Sequence, residues 1–149
     1  MGLGASVIIA PEPDRPEGAR LYLAPVGGSY ATGATLTVQI RVDSLAEDVN
    51  TFHANISYPT DRLQWVSTNS SGSAFTTVIQ NTEDSGVLRY GAGILGGSTS
   101  GDQLGAVVTF TALSSGPATL NFEAGSGIAR TSDSTDICQY RDGANYTIT

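Results

Sequence analysis

The stretch TLTVQIRVD, Thr35 to Asp43, decides the fold class. Leu36, Val38, Ile40 and Val42 fall on one side of an extended chain, and Thr37, Gln39 and Arg41 fall on the other. Successive side chains on a strand point to opposite faces, so this alternation predicts a strand with one face in a core and one in water. The same period recurs on both sides of it. In Thr51 to Tyr58 (TFHANISY), Phe52, Ala54, Ile56 and Tyr58 align, leaving Thr51, His53, Asn55 and Ser57 opposite. Leu104 to Ala112 aligns Leu104, Ala106, Val108, Phe110 and Ala112, and Ala118 to Phe122 aligns Ala118, Leu120 and Phe122. Shorter candidates are Leu21 to Leu23, Leu63 to Val66, Phe75 to Gln80, Val87 to Ala92 and Tyr146 to Ile148. Turn-forming residues separate them, notably Asp84-Ser85-Gly86 and Ser114-Ser115-Gly116-Pro117. No segment sustains a period of 3.6 with caps. The reading is all-β, a two-sheet β-sandwich of about nine strands.

Composition narrows the function. The chain has 149 residues, net charge −7 and a pI near 4.3, and only 14% of its residues are charged. All seven basic residues are arginines, so no basic stripe is available for nucleic-acid phosphates. No apolar run approaches the roughly 20 residues of a membrane span. Gly, Ser and Thr make up about a third of the chain, a polar composition suited to an extracellular or cell-surface setting. The single cysteine, Cys138, has no internal partner and reads as a small buried hydrophobe.

Residues 1–19 read as an N-terminal tail and spacer, and residues 20–149 as the domain. In the tail, ASVIIA (Ala5 to Ala10) is too short for a signal-peptide core, and Pro11, Pro13 and Pro16 alternate with acids in a stiff extended stretch.

Four segments in order carry a family resemblance: ATGATLTVQIRVDSL (Ala31 to Leu45), TFHANISYPTDRLQWVS (Thr51 to Ser67), GDQLGAVVTFTA (Gly101 to Ala112) and SSGPATLNF (Ser114 to Phe122). Together they resemble cohesin domains, the nine-stranded jelly-roll modules of bacterial scaffold and surface proteins. Gly33, Tyr58, Pro59, Leu63, Phe110 and Gly116 occupy matching places. One departure is that the family's Tyr-Asp-Pro stands here as Tyr58-Pro59-Thr60-Asp61, with the acid moved past the turn. The resemblance implies jelly-roll topology. It also implies a protein partner of dockerin type, held on the sheet made by the eighth, third, sixth and fifth strands. By alternation, the outward residues of those strands are Thr119 and Asn121, then Thr51, His53 and Asn55, then Arg89 and Gly91. For the fifth strand, Thr76, Val78 and Gln80 are expected outward, with Phe75 and Ile79 inward.

Catalytic chemistry finds little to work with. There is one histidine, no acid shares its strand face, and no Gly-x-Ser-x-Gly elbow exists. Zinc lacks a second His or Cys, and no cofactor is expected. Asp133, Asp136, Asp142 and Asn145 form an oxygen-rich stretch that matches no calcium-loop spacing and reads as turn chemistry. A carbohydrate-binding or structural, adhesive sandwich module is the alternative, because sugar-binding families share this architecture. Trp65 reads as core-facing, which leaves Tyr30, Tyr90 and Tyr140 as candidate ring donors for a polysaccharide. On the expected docking face, His53 is the one residue of a type that changes charge between about pH 5 and 8.

Overall fold

The computed structural model describes residues 18–149, and most of the expected 1–19 tail lies outside them. Twelve strands follow in chain order: β1 (Ala19–Ala24), β2 (Gly27–Tyr30), β3 (Thr35–Asp43), β4 (Val49–Ser57), β5 (Leu63–Asn69), β6 (Thr77–Asp84), β7 (Val87–Gly93), β8 (Asp102–Ala112), β9 (Gly116–Phe122), β10 (Gly127–Arg130), β11 (Cys138–Asp142) and β12 (Ala144–Ile148). No helix occurs among the described residues. One sheet has five strands in the order β11-β1-β3-β8-β5; the other has seven, β2-β12-β9-β4-β7-β6, with β10 also paired to β4. This is a jelly-roll sandwich. Its three strands beyond the expected nine, β2, β10 and β11, have four or five residues each.

The alternation read from the sequence becomes the core. Leu36, Val38, Ile40 and Val42 on β3 are buried, and β8 answers them with Ala106, Val108, Phe110 and Ala112. From the other sheet come Phe52, Ala54 and Ile56 of β4, Leu88, Tyr90 and Ala92 of β7, and Ala118 and Leu120 of β9. Phe52 sits at the centre, edge-on to Phe75 at 5.0 Å between centroids and tilted on Tyr90 at 5.9 Å. Such ring pairs add to the area term, itself about 25 cal/mol per Å² of apolar surface removed from water. Phe75 is fully buried as expected, but from the loop preceding β6.

Both terminal strands change sheets. The chain leaves β1 at Pro25 and re-enters the other sheet as β2; near its end it leaves β11 at Gly143 and re-enters as β12. The two crossings lie side by side, because β11 runs parallel to β1 and β12 runs parallel to β2. Asn145 N donates to Val26 O at 3.0 Å, and the Tyr146 hydroxyl donates to Pro25 O at 2.6 Å. Gly143 passes so close to β9 that a Cβ there would lie 2.1 Å from Leu120 O. Most of the other connections also pass between the sheets, and among the described residues the one hairpin joins β6 to β7. Ser85 (φ 51°) and Gly86 (φ 84°) form the two-residue turn between β6 and β7, both in the left-handed region that a type I′ turn requires.

Candidate docking face

The seven-stranded sheet places β9, β4, β7 and β6 next to one another in that order. Antiparallel register then fixes which side chains share a face. His53 pairs with Gly91, Asn55 with Arg89 and Thr51 with Gly93; Asn121 pairs with Ser57, and Gln80 with Gly91. Phe52, Ala54 and Ile56 point inward, so Thr51, His53, Asn55, Arg89, Gly91, Gln80, Thr119 and Asn121 all lie on the outer face. His53, Gln80, Thr119 and Asn121 are exposed, whereas Thr51, Asn55 and Arg89 are half-buried. Gly91 is buried beside the His53 imidazole; a Cβ on residue 91 would fall 2.5 Å from Nδ1.

Side chains at the margin are pinned by local hydrogen bonds. Asn55 Nδ2 donates to Ala124 O at 2.8 Å, the Ser57 hydroxyl donates to Glu123 at 2.7 Å, and the Thr119 hydroxyl donates to Asn145 Oδ1 at 2.9 Å. β10, absent from the sequence reading, extends the face past β4 and sets Gly127 opposite His53. Asp136 covers Gly127, its Oδ1 accepting from Ile128 N (3.0 Å) and Cys138 N (2.9 Å) and its Oδ2 from Arg141 (3.2 Å).

The fifth expected strand needs correction. A β-bulge between Val78 and Gln80 inserts Ile79 as an extra residue, so Val78 pairs with Ala92 on the inward side and not outward as expected. Ile79 turns to the outer face instead, 59% exposed, with Cδ1 3.8 Å from the Cβ position of Gly93. Thr76 is exposed but precedes the strand. Alternation holds only along an unbroken ladder, and one inserted residue inverts everything on one side of it.

The alternative sites come apart. Tyr90, expected as a ring donor for sugars, is fully buried, because it shares the inward face of β7 with Leu88 and Ala92. Tyr30 packs edge-on against Tyr146 at 5.9 Å, and Tyr140 is 40% exposed on β11, an edge strand of the other sheet. Trp65 packs against the core, as read from the sequence, and its Nε1 donates to Thr68 Oγ1 at 2.9 Å. Cys138 is buried, which pushes its thiol pKa up. The oxygen-rich stretch is taken up by the protein itself. Asp133 binds Arg130 through both oxygens (3.0 and 2.7 Å), Asp142 faces Arg20 at 3.9 Å, and Asp136 is held as above. The Arg130 guanidinium, helped by the Thr135 amide, holds the Asp133 carboxyl well below the usual range. Among the described residues, no group of three or more His, Cys, Asp or Glu side chains converges as metal ligands would.

No family model matches this sequence, and no curated protein matches it significantly. Solved structures do match. The cohesin CaCohA2 of Clostridium acetobutylicum superposes with a TM-score of 0.74 at 18% identity, over 89% of this chain and 92% of that one. The chain has the cohesin fold. A cohesin module from a Clostridium perfringens family 33 glycoside hydrolase gives a TM-score of 0.75 at 13% identity, covering 89% of this chain and 97% of the other. A cohesin solved in a type I cohesin–dockerin complex from Clostridium thermocellum gives 0.67 at 12% identity, covering 90% and 97%. At these identities the likeness is one of fold.

Proposed function

We propose that the chain is a non-catalytic recognition module that docks a dockerin-like protein on the outer face of β9, β4, β7 and β6, as part of an extracellular or cell-surface protein with residues 1–19 as its spacer. One observation carries this reading. β4, β7 and β6 present a paired outer face, joined to β9 at Asn121 and Ser57, with the His53 ring over Gly91 and Ile79 exposed at one side. A sheet face with an exposed apolar side chain among small polar ones suits a protein surface better than a cleft-bound ligand. The complex seen for the Clostridium thermocellum cohesin supports the choice of partner class.

Calorimetry with a panel of dockerin modules tests it. At least one should bind with micromolar or tighter affinity, and Gln80→Trp and Ile79→Asp should each abolish binding. Thr37→Trp, on the outer face of the opposite sheet, should leave it intact. Absence of binding across the panel, or equal loss from Thr37→Trp, overturns the proposal.

A further inference from the structure

Arg89 differs from every other described arginine. The remaining five each reach a carboxylate within 4.0 Å, from Arg130–Asp133 at 2.7 Å to Arg20–Asp142 at 3.9 Å. Arg89 has no ion pair and no side-chain hydrogen bond among the described residues, and none of its nitrogens is sealed from solvent. It stands near the middle of the outer face, between Asn55 on β4 and Thr82 on β6, with His53 the other basic side chain close to it in register.

The acids around it are engaged elsewhere. Asp84 accepts from the Ser85 hydroxyl at 3.0 Å and Glu123 from Ser57. Glu83 turns to the Tyr58 hydroxyl and to Gly86 N. Asp136 is held by Arg141 and two amides. A chain with twice as many acids as bases thus leaves one guanidinium unpaired, at the centre of the surface proposed to dock. A guanidinium offers five N–H donors in a planar fork that matches a carboxylate. A partner that covers it without an acceptor strips away its water and leaves those donors unmet.

We infer that this face selects a protein partner presenting an Asp or Glu side chain to Arg89, so that the carboxylate completes the pair that the domain itself does not form. The inference rests on the docking reading above and names the chemistry its partner must carry.

A yeast-displayed library built on the dockerin of the Clostridium thermocellum complex, with its helix surfaces randomised, is sorted against the wild-type domain. Clones binding the wild type should be enriched in Asp or Glu at one contact position. They should lose at least about 30-fold in affinity for Arg89→Glu, the lower end of what truncating a buried charge pair costs. Changing that acid to Arg should restore binding to Arg89→Glu. If Arg89→Glu does not fold, Arg89→Gln serves, with a loss of at least about tenfold expected. Clones without acid enrichment that ignore Arg89→Glu but are lost on Gln80→Trp overturn the inference and leave the docking face standing. Clones indifferent to both substitutions overturn both.

Discussion

The imidazole of His53 lies across Gly91 on the neighbouring strand, so close that a methyl group at residue 91 would sit 2.5 Å from Nδ1 and 2.7 Å from Cε1. The ring ends an exposed side chain and can swing away, whereas glycine within a strand costs roughly 0.5–1 kcal/mol relative to alanine. Gly91→Ala should therefore hold or raise stability by up to about 0.5 kcal/mol in urea unfolding while displacing the ring. Unchanged His53 side-chain NMR shifts, or a clear loss of stability, would contradict this. A fall in dockerin affinity at unchanged stability would tie the placement of the His53 ring to docking.

Gly143 offers no such escape. A Cβ there would meet Leu120 O at 2.1 Å, and that oxygen belongs to the backbone of β9. Gly143→Ala should cost about 2–3 kcal/mol, as overpacking does where neither side can yield. A midpoint shift of less than about 2 °C in thermal unfolding would show that the crossing has more room.

Tyr146 is 2% exposed, and its burial raises the hydroxyl pKa, so the group stays a protonated donor to Pro25 O across the working pH range. Tyr146→Phe keeps the ring and its contact with Tyr30 but deletes the 2.6 Å bond between the crossings. The expected loss is about 1 kcal/mol. Denaturant melts of the two proteins that coincide would refute it.

Asp133 carries the clearest pH dependence. Its folded-state pKa is depressed, so its contribution is in place above the unfolded carboxylate value near 4 and fades as pH falls below it. In carbon-detected NMR its carboxyl should titrate below those of exposed carboxylates elsewhere in the chain. Arg130→Gln should return it towards the ordinary range. The site is open to solvent, so the effect on global stability should be small.

How much of this was legible beforehand depends on local repetition. Thr35–Asp43 carried four inward residues in strict alternation, and the strand was found with its face and its ends. Thr51–Tyr58 gave β4 to within two residues. β10 and β11 each bury one side chain, Ile128 and Cys138, and β11 pairs with a strand more than a hundred residues earlier, so no local pattern announces them. Along β6 hardly any residue is buried, and the bulge at Ile79 depends on the register of its neighbour. Tyr90 was different: alternation with Leu88 and Ala92 already places it in the core, whatever its ring chemistry. The solitary state of Arg89 was beyond reach, since it depends on where Glu83, Asp84, Glu123 and Asp136 turn.

The paired crossings also set how the domain answers a mechanical load. Ala19 and Ile148 lie at opposite ends of the adjoining terminal strands, which run in the same direction through both sheets. Tension applied between the two ends therefore loads the β1–β11 and β2–β12 ladders in shear, with all their bonds sharing the force together and none peeling in turn. In single-molecule pulling the domain should yield in one abrupt step at high force, and Gly143→Ala should lower that force.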